Sequence, residues 1–180
     1  MRDFIYNEMM IHIPICTSKE PKNILIISDN AELLKKEVLK HNLNVDTAKC
    51  NIDVLSSLND DMYDVIVSQM SIDATFLAQL NRIIKKDAQL VTTHPSLDNV
   101  EENKKLMLSL SKYFKIIMPY NIGDGTTALF CSKEYHPTAD VNLQRADMLD
   151  NVEYYNSDIH RASFAMGNYI RKEYLGIIKN

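Results

Sequence analysis

Apolar and β-branched residues run almost without interruption through residues 23–28 (NILIIS) and 63–68 (YDVIVS). A strand apolar on both sides belongs at the buried centre of a parallel sheet. Between these runs the apolar positions fall at helical spacing instead. Leu33, Leu34, Val38 and Leu39 form one predicted inward face, behind a cap at Asp29 or Asn30. Lys40 and His41 close that helix, where positive charge is favoured. Phe76, Leu77, Leu80 and Ile83 form the inward face of a second helix, over residues 74–84. The remaining pattern predicts a short helix over residues 4–10 and a loop through Pro14 and residues 18–22. It adds strands over 44–49, 88–92, 115–120 and 126–131, and a helical or irregular piece at 53–58. Helix is expected over 100–113 and, in part, over 161–177. Asp124-Gly125 sits between the last two strands and supplies hairpin turn residues.

Strand–helix alternation ending in a hairpin predicts an α/β fold: an open, mostly parallel sheet with helices on both faces. Ligands in such sheets bind beyond the C-terminal ends of the strands. Those ends carry Ser28-Asp29-Asn30, Lys49-Cys50-Asn51, Ser68-Gln69-Met70 and Thr93-His94, a polar crevice.

Composition narrows the function classes. A chain of 180 residues, 46% hydrophobic and 24% charged, suits one globular domain. A net charge of -4 provides no basic field for nucleic acid. No apolar run is long enough to span a membrane, and Met1-Arg2-Asp3-Phe4 lacks the charged-then-apolar order of a signal peptide. Cys16, Cys50 and Cys131 are far apart and odd in number, which fits buried thiols in a reducing cytoplasm. His12, His41, His94 and His136 show no metal-ligand spacing, so no metal site is expected. Only four glycines occur, none of them in the crevice segments.

Four stretches resemble the spermidine synthases, the polyamine aminopropyltransferases. Residues 4–12 (FIYNEMMIH) are similar to that family's FIYHEMLTH. Residues 22–27 and 37–41 match its first strand and the end of the following helix. Residues 119–133 resemble PTYPSG…SK, and residues 154–164 (YYNSDIHRASF) are close to YYNPEIHRAAF. The resemblance implies a methyltransferase-like sheet and transfer of an aminopropyl group from decarboxylated S-adenosylmethionine to putrescine. It further implies a cytoplasmic protein, and a homodimer if the family habit of associating holds. The sulfonium is already a good leaving group, so no cofactor beyond this co-substrate is expected. The chemical obstacle is the amine, protonated at neutral pH with a pKa of about 10, which a carboxylate must hold and help deprotonate.

Against the family pattern several positions depart. Its glycine-rich GGGDGG corresponds to residues 28–33 here, without glycine, and its aspartate there aligns with Ala31. Its ribose-binding glutamate aligns with Lys49. Its DSSDP loop aligns with Ser68-Gln69-Met70-Ser71-Ile72, so that both acids are serines, Ser68 and Ser71. The YHEM histidine is Asn7, and the tyrosine of PTYP aligns with Asn121, one residue from Tyr120. The interval from Lys49 to Ser68 is too short for the family's extra βα unit, which predicts a sheet of about six strands. The expected organisation is a single domain over residues 1–180, without the family's N-terminal β-domain.

The candidate catalytic positions are therefore Asp73, Ser68 and Ser71. Asp73 stands two residues past Ser71, and its competing reading is a helix cap. Tyr6, Asn7, Asp29, Asn30, Lys49, Asn51, Gln69, Tyr120 and Tyr155 are the candidate binding residues. His160 reads as a structural histidine, and Asp124 as a further acid on the hairpin. Three functions compete: an active aminopropyltransferase with a rebuilt site, a catalytically silent relative that binds a partner or polyamine, and another adenosyl-ligand enzyme such as a methyltransferase.

Overall fold

The computed structural model describes residues 3–180, so Met1 and Arg2, half of the segment read for a signal peptide, lie outside it. Six strands form one sheet: β1 (Asn23–Ile27), β2 (Asn44–Ala48), β3 (Tyr63–Ser68), β4 (Ile84–Thr92), β5 (Ile116–Asn121) and β6 (Thr127–Ser132). Their order is β2-β1-β3-β4-β6-β5. β2, β1, β3 and β4 are parallel, while β6 runs antiparallel between β4 and β5. The expected open, mostly parallel sheet with a terminal hairpin is thus present. β1 and β3 are the apolar runs, and from Ile24 to Ile27 and Tyr63 to Ser68 every residue is buried.

Helices cover both faces. On one face lie α3 (Ile52–Ser56), α4 (Ala74–Ile83), α5 (Val100–Leu110) and α8 (Asn168–Glu173). On the other lie α1 (Asp3–Thr17), α2 (Glu32–Leu39), α6 (Leu143–Asp147) and α7 (Ser157–Ser163). Strand alternation feeds both cores: Leu25 and Ile66 point to the first, Ile24, Ile26, Val65 and Val67 to the second.

Three expectations need correction. The first helix runs to Thr17, through Pro14, and residues 8–17 are all buried. A proline inside a helix costs about 3 kcal/mol, which the burial of several apolar side chains at roughly 2 kcal/mol each outweighs. The inward face of α2 is Leu34, Glu37 and Val38, whereas Leu33 and Leu39 are exposed, because α2 docks on α1. Neither Asp29 nor Asn30 caps it: Ala31 holds that position with no side-chain bond. The tail, by contrast, is helical in part as expected, in two short helices, the first capped by Asn156 accepting from the Ile159 N–H.

Long-range polar contacts fix α1. At its C-terminal end Arg145 donates to the carbonyls of Ile15 (2.8 Å), Ser18 (2.6 Å) and Lys19 (3.1 Å). No basic residue of α1 itself occupies the last turn, so a residue of α6 neutralises those free carbonyls. Arg145→Ala is expected to cost about 2 kcal/mol, read as a lower urea midpoint at unchanged m-value. Near its N-terminus the buried Glu8 carboxylate accepts from the backbone N–H groups of Glu153 (2.9 Å), Tyr154 (2.8 Å) and Tyr155 (2.9 Å). Between α1 and α2, His12 contacts both Glu37 (3.0 Å) and His41 (2.9 Å), and Lys40 donates to Glu37 (2.6 Å).

Candidate functional site

The chain leaves β1 toward β2 on one side and returns to β3 on the other, so the crossovers diverge between β1 and β3. That divergence opens a crevice at the C-terminal strand ends. The crevice holds two cavities that share Gln69. The larger, about 780 Å³, lies on the α1 and α2 side. Its walls are Tyr6, Asn7, Asn30 and Gln69, the apolar Ile5, Leu33 and Leu34, and the hairpin residues Gly123, Asp124 and Thr126, with Asp3 at its edge. The smaller, about 560 Å³, lies between the β3–α4 loop and α5 and takes in Ser71, Asp73, Thr93 and His94.

A directed hydrogen-bond chain crosses the crevice. The Asn30 N–H donates to Ser28 Oγ (3.0 Å), and Ser28 Oγ in turn donates to Gln69 Oε1. Gln69 Nε2 donates to the Tyr6 hydroxyl (2.8 Å). Burial raises the Tyr6 pKa, the Gln69 bond opposes the rise, and the nearby Asp124 charge adds to it. The phenol therefore stays protonated at neutral pH. Asp124 Oδ1 accepts from the Thr126 N–H (2.8 Å) and Oγ1 (2.6 Å). Its other oxygen has no hydrogen-bond partner among the described residues. Gly123 has φ +102°, and a Cβ there would meet the Tyr154 hydroxyl at 2.1 Å, so glycine is required at this hairpin.

The structure distributes the expected site residues unevenly. Tyr6, Asn7, Asn30 and Gln69 come together in the larger cavity. Ser71 and Asp73 line the smaller one, where Asp73 Oδ1 caps α4 by accepting from the Phe76 N–H (2.7 Å). Asp29 Oδ1 reaches across to accept from the Cys50 N–H (3.1 Å), which puts an exposed carboxylate at the joined ends of β1 and β2. Lys49 is exposed beside it, and Asn51 caps α3 by accepting from the Asp53 N–H (2.9 Å).

Three candidates have no face on the crevice. Ser68 is fully buried and its hydroxyl accepts from the Met70 N–H (3.1 Å), holding the loop that follows β3. Tyr120 is fully buried and donates to the Met9 carbonyl (3.2 Å), because alternation along β5 turns it toward α1 while Asn121 faces outward. Tyr155 is buried against His160 Nδ1 (2.7 Å), and His160 Nε2 donates to the Pro137 carbonyl (2.8 Å). With Nε2 carrying the proton, Nδ1 accepts from the Tyr155 hydroxyl. Burial lowers His160 to about 4, as befits a structural histidine. Asp3 and Ile5, part of the larger cavity wall, were not anticipated. The available signal was helical spacing, since Asp3 stands one turn before Tyr6.

Residues 3–57 match the family model described as the spermine/spermidine synthase domain. The polyamine aminopropyltransferase of Helicobacter acinonychis (strain Sheeba) is 28% identical, over 90% of this chain and 73% of its own length. The polyamine aminopropyltransferase of Clostridium acetobutylicum is 25% identical, over 95% of this chain and 78% of its own. Among solved structures, spermidine synthase from Thermotoga maritima superposes with a TM-score of 0.82 at 23% identity, covering 98% of this chain and 75% of that one. The motifs, the matched model and the shared fold agree. The chain is similar in sequence to the polyamine aminopropyltransferases and shares the spermidine synthase fold, over about three quarters of the length of the relatives that it matches.

Proposed function

We propose that this protein carries out spermidine-synthase-like chemistry, moving an aminopropyl group from decarboxylated S-adenosylmethionine to an aliphatic diamine such as putrescine. The observation that carries the reading is the larger cavity. It sets the carboxylates of Asp3 and Asp124 and the Tyr6 hydroxyl around the apolar walls of Ile5, Leu33 and Leu34. A diammonium with a hydrocarbon spacer needs that combination of acid and oil. Asp124 holds the non-reacting ammonium through its free oxygen, and the reacting nitrogen binds in its neutral form. Tyr6 fixes the position of the amine.

The nucleoside co-substrate supplies the sulfonium leaving group, so the protein's task is orientation. Among the residues present, Asp29 fits its ribose. One Asp29 oxygen is held by Cys50, and the other has no partner among the described residues. It lies at the joined ends of β1 and β2, where a hydroxyl acceptor is wanted. The expectation that Lys49 stands in the ribose position is compatible with this, since Asp29 reaches the same strand end. We further propose that the protein works in the cytoplasm as a homodimer and requires no cofactor besides this co-substrate. No helix among the described residues is long and apolar enough to cross a membrane.

Calorimetric titration with putrescine, decarboxylated S-adenosylmethionine and methylthioadenosine, each alone, tests the reading, followed by mass-spectrometric assay for spermidine. Binding near micromolar, about -8 kcal/mol, and spermidine formation are expected. Asp124→Asn is expected to weaken putrescine at least about tenfold, the worth of one charged hydrogen bond. Putrescine binding without any heat from the nucleosides at millimolar concentration would overturn the transferase reading and leave a silent amine-binding relative.

A further inference from the structure

We infer that Gln69 is a positioning residue that sets the hydrogen-bond polarity of Tyr6, and with it what the larger cavity presents to its ligand. The inference rests on the amine reading of that cavity for its consequence, but not for its geometry.

Donors and acceptors alternate along this chain of hydrogen bonds. Asn30 N–H can only donate, so Ser28 Oγ accepts from it and is left with its own hydrogen to give. That hydrogen goes to Gln69 Oε1. The amide is thereby oriented with its oxygen toward β1 and its NH2 toward α1. Gln69 Nε2 can only donate, so the Tyr6 oxygen accepts at 2.8 Å. The phenolic hydrogen is then excluded from the Gln69 direction. Among the described residues Tyr6 has no other hydrogen-bond partner, so this hydrogen is free to turn into the cavity. Each link has one direction, and the last link offers a donor to the ligand.

A donor at this position suits a group with a free lone pair. For an alkyl amine that is the neutral, nucleophilic form rather than the ammonium. Asp124, on the same cavity wall, suits the ammonium form. The two residues thus divide a diamine by protonation state: one nitrogen is held charged, and the other is selected neutral by the phenol, whose hydrogen bond to the lone pair breaks before that lone pair attacks carbon. The apolar surface of Ile5, Leu33 and Leu34 lies between such ends for the carbon spacer. Gln69 also separates the two cavities, since both are walled by it.

Two substitutions distinguish this role from simple packing. Gln69→Leu removes both bonds at similar size. Gln69→Glu keeps the size but offers only acceptors when ionised, so the Tyr6 hydroxyl turns to donate to it and the cavity loses its donor. Tyr6 is read by NMR titration of protein labelled at tyrosine Cζ, with its resonance assigned from Tyr6→Phe. Both variants are expected to raise the Tyr6 pKa by about one unit, the worth of one hydrogen bond, while the remaining tyrosines stay put. Putrescine affinity is expected to fall about tenfold in each, with the thermal midpoint unchanged within a few degrees.

An unmoved Tyr6 in both variants would overturn the inference, whatever the ligand data show. If putrescine fails to bind even the parent protein, the amine reading fails, yet the Tyr6 titration still decides whether Gln69 sets the phenol. A Tyr6 shift in Gln69→Leu with unchanged putrescine affinity would overturn the ligand half of the inference.

Discussion

Replacing Glu8 by alanine is expected to cost about 4 kcal/mol, the largest loss from any single substitution considered. The side chain is 1% exposed, and its two oxygens accept three backbone N–H groups, from Glu153, Tyr154 and Tyr155. Truncation removes three charge-assisted bonds and leaves three donors with no partner, each unsatisfied donor costing about 1–3 kcal/mol. Some of that is recovered by water entering the gap, which brings the total to about 4. Glu8→Gln keeps the shape but offers one acceptor oxygen and brings an NH2 against backbone donors, so a loss of about 2–3 kcal/mol is expected. Urea unfolding followed by circular dichroism measures both. A loss under 1 kcal/mol for the alanine variant would show that the tail segment is held by other contacts. Because α1 also carries Tyr6 and Asn7, the same variant is expected to weaken putrescine even under conditions where it remains folded.

Acid should destabilise the fold well before its carboxylates are titrated. Burial is the main cause that holds His41 down at about 3, and the neighbouring His12 and Arg145 reinforce it. Burial likewise holds His160 at about 4. In the unfolded chain both return to 6.5. Below that pH the unfolded state binds protons that the folded state refuses, so stability falls as pH falls from 6.5 toward those depressed values. At pH 5 the loss is about 2 kcal/mol for each histidine. Burial pushes Glu37 up, but its bonds to His12 and Lys40 together outweigh that and hold it below the ordinary carboxylate range, so it adds to the loss at still lower pH. Thermal melts between pH 7.5 and 5 check this. The His41→Gln and His160→Gln variants should each show a flatter pH dependence than the parent. A melting temperature that does not change across this range would contradict the buried neutral histidines.

The centre of the sheet was readable because β1 and β3 are buried on both faces, and full burial leaves an uninterrupted apolar signature. The crevice followed from topology, since strand order fixes where polar strand ends collect. Facing was harder to read. Leu33 and Leu34 are equally apolar, and only the docking angle of α2 on α1 decides that Leu34 goes inward. Tyr120 and Asn121 are neighbours in one motif, yet strand alternation buries one and exposes the other. Pro14 read as a breaker because local propensity favours that, and tertiary burial overrode it. Glu8 gave no local sign of its role, since its partners lie 145 to 147 residues away. The acids of the larger cavity show the same limit. Asp124 was visible as a turn residue, but only the folded hairpin brings it to the cavity that Tyr6 also lines.

The place of β6 has a consequence for how the chain is assembled. β6 lies between β4 and β5, and both of its neighbours precede it in the sequence. During synthesis β5 emerges before the strand that will join it to the sheet, and so it waits with no sheet partner. Such a waiting edge is where a growing chain is most exposed to mispairing. The hairpin turn, formed within microseconds of the emergence of residue 132, brings β6 alongside β5. The pair then enters the sheet together against β4, so the hairpin, not the single strand, is the unit that completes the sheet.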